Sequence, residues 1–131
     1  MIRTRTQGIA LLVVGTLTLG GAAVAHHSRA ATYFLDRTVT IQGKIVMFTY
    51  RNPHAILQVM APGNDGQSYR WACEWGDTLM LDNSGINSNT LKPGDKVVVT
   101  GLPARNPEDH RLFIKSIQRL VDGWKWSGDA K

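Results

Sequence analysis

The sequence predicts a mainly β protein, a small five-stranded OB-like barrel with a short helix between its third and fourth strands. Three observations predict it. Strand-forming runs come as three, then a short helical segment, then two. A glycine, Gly43, interrupts the long first run where a strand can bend, and another, Gly101, lies at the end of the fourth. A plain five-strand meander is the competing topology.

The first strand is read from Thr38 to Tyr50, β-branched or aromatic at most positions. Arg51-Asn52-Pro53-His54 breaks it, because Pro53 cannot donate to a ladder and Asn52 is a turn former. Ala55 to Met60 resumes as the second strand, so His54 is displayed at the mouth of a hairpin. Turn formers from Ala61 to Gly66 close the next reversal. In the third strand Tyr69, Trp71, Cys73 and Trp75 alternate with Arg70, Ala72 and Glu74, which predicts a core face of three rings and a thiol. Asp77 is a helix cap before Thr78 to Asp82, and Gly85 a stop. Lys96 to Leu102 is a fourth strand whose continuous apolar run suits burial on both sides. The loop from Pro103 to His110 is polar. Arg111 to Leu120 is the fifth strand, with Leu112, Phe113, Ile114 and Ile117 available to the core. The tail from Val121 to Lys131 is expected to fray, its Trp124 and Trp126 packing at the barrel end.

Ahead of the barrel, residues 1–25 read as a secretory signal peptide: Arg3 and Arg5, an uncharged apolar run from Ile9 to Val24, and the small-x-small pattern Ala23-Val24-Ala25. The run is shorter than the roughly 20 residues a spanning helix needs, which disfavours the rival reading of an uncleaved anchor. No twin-arginine pair is present, so the general secretory route and a periplasmic address are expected, with no membrane insertion after cleavage. Cutting 25 of 131 residues leaves 106, one small domain divided into an arm (26–37), the barrel (38–120) and the tail (121–131). The arm is expected to dock through Tyr33-Phe34-Leu35.

Composition excludes more than it proposes. Fifteen basic and ten acidic residues give +5, and loss of Arg3 and Arg5 leaves +3 with no block of like charge, so no nucleic-acid partner is implied. Cys73 is the only cysteine, which forbids an internal disulfide and, by its parity, reads as a buried inert thiol. No serine elbow, His-Glu-x-x-His, phosphate loop or telling carboxylate pair is present, so the chain is not read as an enzyme.

The histidines carry the chemistry that remains. Cleavage after Ala25 makes His26 the amino terminus, and its α-amine and ring nitrogen can chelate one metal ion. A further imidazole from His27 or His54 would complete a nitrogen-rich set suited to Cu(II), with Zn(II) second. Cleavage after Ala30 would remove both arm histidines. Glu74, on the face opposite Cys73, and Asp36 are candidate acceptors for a histidine ring. Asn52 shapes the turn that presents His54. His110 lies in an ordinary polar loop, and Arg51 reads as a solvated turn residue.

His26-His27-Ser28, Asn52-Pro53-His54, Trp71-x-x-Glu74 and Leu91-Lys92-x-Gly94-Asp95-x-Val97-x-Val99-x-Gly101 together resemble the small exported bacterial proteins grouped as domain of unknown function 6152. The resemblance implies that His26, His27 and His54 are the residues to carry over, and implies no activity. Tyr50-Arg51 precede the hairpin motif where that family would suggest a tryptophan nearby. The leading expectation is a periplasmic, non-catalytic binding protein holding a copper-type ion for metal handling or as accessory to a redox enzyme. The alternative is a metal-free interaction module for an envelope protein, peptide or glycan.

Overall fold

The computed structural model describes residues 29–128, so the expected signal peptide (1–25), His26 and His27 lie outside the described residues. Strands β1 (Val39–Thr49), β2 (Ile56–Pro62), β3 (Ser68–Glu74), β4 (Lys96–Pro103) and β5 (Arg111–Arg119) are hydrogen-bonded in the order β3-β2-β1-β4-β5. A parallel contact of β3 with β5, from Ala72↔Arg111 to Glu74↔Phe113, closes the ring. This is the expected five-stranded OB-type barrel rather than an open meander. A helix, α1 (Thr78–Asn83), lies between β3 and β4, and a short β6 (Lys125–Ser127) adds to β5. No helix among the described residues is long and apolar enough to cross a membrane.

The length of β1 lets it serve two partners. Val39 to Lys44 pairs with β4, and Lys44 to Thr49 pairs with β2. At Gly43, beside the change of partner, a Cβ would lie 2.1 Å from the Met60 carbonyl oxygen, so only a residue without one allows the neighbouring strand so close. A register shift between Ile45 and Met47 follows. Gly101 solves the same problem at the β4–β5 corner, where a Cβ would meet the Phe113 carbonyl oxygen at 2.2 Å.

Alternation along the strands fills one interior with Ile41, Ile45, Leu57, Val59, Cys73, Val97, Val99, Leu112, Ile114 and Ile117. The α1 segment adds Leu81, and the chain after it adds Ile86 and Leu91. Its ends follow the sequence: Asp77 Oδ1 accepts from Met80 N–H at 2.8 Å, and Gly85 at φ +75° ends the helix as Ile86 N–H reaches the Leu81 carbonyl at 2.9 Å.

Four expectations are corrected. Cys73 and Trp75 are fully buried, but Tyr69 and Trp71 are only half-buried, because they face the loop residue His110 near the end of the barrel. In β4 Val97 and Val99 are buried while Val98 is half-buried, since a small barrel has one interior and the other face looks outward. Phe113 likewise leaves the main core and packs with Tyr33, Leu102 and Ala104 outside the barrel wall. The described part of the tail does not fray: β6 pairs Ser116↔Ser127 to Gln118↔Lys125, and Trp126 sets its edge on Trp75 with ring centres 5.1 Å apart. A buried aromatic surface at the barrel end supplies what holds it there.

Candidate functional site

His54 is delivered by the β1–β2 turn, and two ties set that turn. Ala55 exchanges backbone hydrogen bonds with the segment just after β3, its N–H reaching the Gly76 carbonyl at 3.0 Å and its carbonyl accepting from Trp75 N–H at 2.8 Å. Asn52 Oδ1 accepts from the backbone N–H and hydroxyl of Thr78 at 2.9 and 3.0 Å, fastening the turn to the start of α1. Asn52 therefore anchors the loop through Thr78.

The ring itself meets Glu74. His54 Nδ1 lies 2.7 Å from Glu74 Oε1, with the imidazole about half exposed and the carboxylate only 10% so. The other oxygen, Oε2, accepts from Arg111 Nη2 at 2.7 Å and from the Tyr33 hydroxyl. One carboxylate thus joins the turn, β3, β5 and the arm. Glu74 is buried because the arm lies over its face of the barrel wall. Phe34 N–H donates to the Pro103 carbonyl at 3.0 Å, Arg105 N–H to the Thr32 carbonyl at 2.9 Å, and Tyr33, 2% exposed, meets Phe113 edge-on. Burial of a carboxylate is sustained only by such charge-assisted partners.

A cavity of about 290 Å³ opens beside this cluster, bordered by His54, Glu74 and Arg111 from the barrel and by Arg29, Thr32 and Tyr33 from the arm. The arm and the hairpin turn therefore share one site. Asp36 is not part of it: the side chain is exposed and 3.5 Å from Arg37 Nε. Cys73 is not part of it either, since burial pushes its thiol well above the usual range and leaves it inert. Among the described residues no group of three histidine, cysteine, aspartate or glutamate side chains is set to hold a metal ion.

Arg111 was not singled out by sequence reasoning, and Tyr33 was named only as a docking residue of the arm, not as a partner of Glu74. Strand alternation in β5, with Leu112 and Ile114 inward, puts Arg111 on the outer face, the same side as Glu74 in β3. That signal is readable only once parallel closure of β3 on β5 is assumed. His110 also differs from the plain loop residue expected. At φ 44° it stacks on Tyr69, ring centres 3.8 Å apart, meets Trp71 edge-on at 5.3 Å, and its Nδ1 lies 2.9 Å from the Glu108 carbonyl. Trp124 packs against the Arg119 guanidinium at 5.6 Å, and Arg51 is exposed.

Residues 14–113 match the family of unknown function DUF6152. That span is about three-quarters of the chain. The chain belongs to the DUF6152 family. No curated protein matches it. The DUF6152 match contains the arm, the His54 turn, Glu74 and Arg111, and stops at Phe113, before most of β5 and all of β6.

All three tyrosines of this DUF6152 protein donate their hydroxyl to a carboxylate: Tyr33 to Glu74, Tyr50 to Asp82 and Tyr69 to Asp65. Each phenol is raised. Burial and then Glu74 raise Tyr33 furthest, Asp82 pushes Tyr50 up to about 12, and Asp65 raises Tyr69. Unfolded tyrosines ionise near pH 10. The folded chain therefore keeps protons that the unfolded chain loses, and the tyrosines' contribution to stability, constant below about pH 10, is expected to fall as pH rises from there through 12. Phenolate absorbance at 295 nm against pH, with urea midpoints at pH 8 and pH 11, checks this. A normal titration near pH 10 with no loss of midpoint would refute it.

Proposed function

We propose that this protein is a non-catalytic, periplasmic metal-binding barrel that holds a copper-type ion, Cu(II) before Zn(II), at the arm–hairpin site, for metal handling or as an accessory to a redox enzyme. The observation that carries this reading is the contact of His54 Nδ1 with Glu74 Oε1 in a cavity whose other wall is the arm. A neutral imidazole that donates its Nδ1 proton to a carboxylate keeps its lone pair on Nε2, and the carboxylate raises the basicity of that nitrogen. His54 supplies one ligand. The remainder would come from His26 and His27, which precede Arg29 by three and two residues, a tether of roughly 10 Å at most. A nitrogen-rich set favours copper over the harder cations.

Mass spectrometry of the exported protein gives its first residue, expected to be His26. Copper titration by calorimetry is expected to show one site that weakens at least tenfold in His54→Ala and fades below about pH 6, where imidazoles take up protons. Equal, weak binding by both proteins would refute the site.

A second reading, the metal-free interaction module, is favoured by one feature: both Glu74 oxygens are engaged within the fold, and the described residues bring a single imidazole to the cavity. In that case the cluster serves to dock the arm, and the protein's partner is an envelope protein, peptide or glycan.

A further inference from the structure

A larger cavity, about 570 Å³, lies at the end of the barrel bearing the start of β1, the β2–β3 turn and the β4–β5 loop. Such a volume is in the range of small-molecule sites, roughly 300–1,000 Å³. We propose that it binds a small organic anion: a carboxylate or phosphate carried on an apolar body.

The lining divides by chemistry. Val39, Ile41 and Trp71 give an apolar wall, of which Ile41 is buried and the other two half-buried. Arg37, Arg105 and Arg111 give three guanidiniums; Arg111 is paired with Glu74 and Arg37 lies 3.5 Å from the exposed Asp36, while no aspartate or glutamate is among the described residues that line the cavity itself. Two of these cations are held in advance. The Arg37 and Arg105 guanidiniums lie over the Phe34 ring at 4.0 and 4.9 Å from its centre, and Arg105 Nε donates to the Ala30 carbonyl at 2.7 Å. A planar fork fixed before binding loses little rotamer entropy when it meets an anion. The Trp71 ring is part of the apolar wall, so an apolar body bound there would shift its indole resonance. A bare inorganic anion would leave the apolar wall uncovered, and an uncharged hydrocarbon would gain nothing from the Arg37 and Arg105 guanidiniums. Arg111 alone borders both this cavity and the His54 site, so the two readings stand or fall separately.

The test uses the full exported protein with octanoate as probe and octanol, inorganic phosphate and a polyglutamate peptide as controls, read by calorimetry and by the indole N–H resonances, with Trp71 assigned from Trp71→Phe. Octanoate is expected to saturate and to move the Trp71 resonance, to weaken about tenfold in Arg37→Gln, one charge-assisted contact, and further in Arg37→Gln/Arg105→Gln. His54→Ala is expected to leave octanoate binding unchanged. Equal binding of octanol or phosphate, equal affinity in the arginine variants, or saturation by the peptide alone would each overturn the proposal. Should the double variant fail to fold, Arg37→Gln decides the question, because that side chain is 58% exposed and bears little on folding.

Discussion

Replacing Glu74 with alanine is expected to lower the unfolding free energy by about 3 kcal/mol and to release the arm from the barrel. Glu74 is 8% exposed as a whole residue, and its carboxylate accepts from Arg111 and Tyr33 while contacting His54. Alanine leaves the 2%-exposed Tyr33 with a hydroxyl that has lost its acceptor, and it is the stranded donor rather than the missing bond that dominates the cost. Arg111 contributes less, since its side chain is 41% exposed and water can replace the lost partner. Two measurements check this. Urea unfolding gives the stability, and limited trypsin digestion reports the arm, where cleavage after Arg29 and Arg37 should accelerate. Tyr33→Phe with wild-type Glu74 separates the two contributions, because it deletes the donor together with the bond and should cost less. A Glu74→Ala protein with unchanged midpoint and unchanged digestion would show that the cluster is ornamental to folding.

The largest loss from one core residue is expected at Trp75. This ring is fully buried, lies against Phe48 at 6.1 Å and Trp126 at 5.1 Å, and its backbone exchanges hydrogen bonds with Ala55 beside the His54 turn. Trp75→Ala should cost about 3–5 kcal/mol, from lost apolar burial together with the cavity left behind. For a domain whose whole stability is typically 5–15 kcal/mol, that is a large fraction. The same change removes the surface on which β6 rests, so amide exchange from Lys125 to Ser127 should quicken beyond the global effect. Trp75→Phe is the informative partner variant. The indole N–H has no acceptor among the described residues, so phenylalanine removes an unsatisfied donor along with part of the ring and should cost much less. A loss below about 1 kcal/mol in Trp75→Ala would mean that the ring is not the anchor its burial indicates.

Much of the barrel was legible because its signals are local. The turn at Asn52-Pro53, the alternation of Leu57 and Val59, the Asp77 cap and the Gly85 stop each act over a few residues. Sequence also separated Glu74 from Cys73 by parity. What it misjudged lies where two segments meet. Tyr69 and Trp71 were expected in the core, yet they meet His110 from the β4–β5 loop. The tail was expected to fray, yet it pairs with β5 as β6, held by the barrel-end packing of Trp126 on Trp75 that the sequence did suggest. His26 and His27 lie outside the described residues, so the metal reading rests on His54 and the reach of the arm.

By itself the amino-acid order determined the five barrel strands, most of their inward positions, the helix ends and the exposed imidazole, since periodicity, turn chemistry and capping are short-range effects. Only the tertiary structure decided that Glu74 would be covered and would join Tyr33, 41 residues before it, to Arg111, 37 residues after it. The reason is physical. That meeting follows from parallel closure of β3 on β5 beneath the arm, and contacts across such separations are set by how the ring shuts, not by any pattern within one strand.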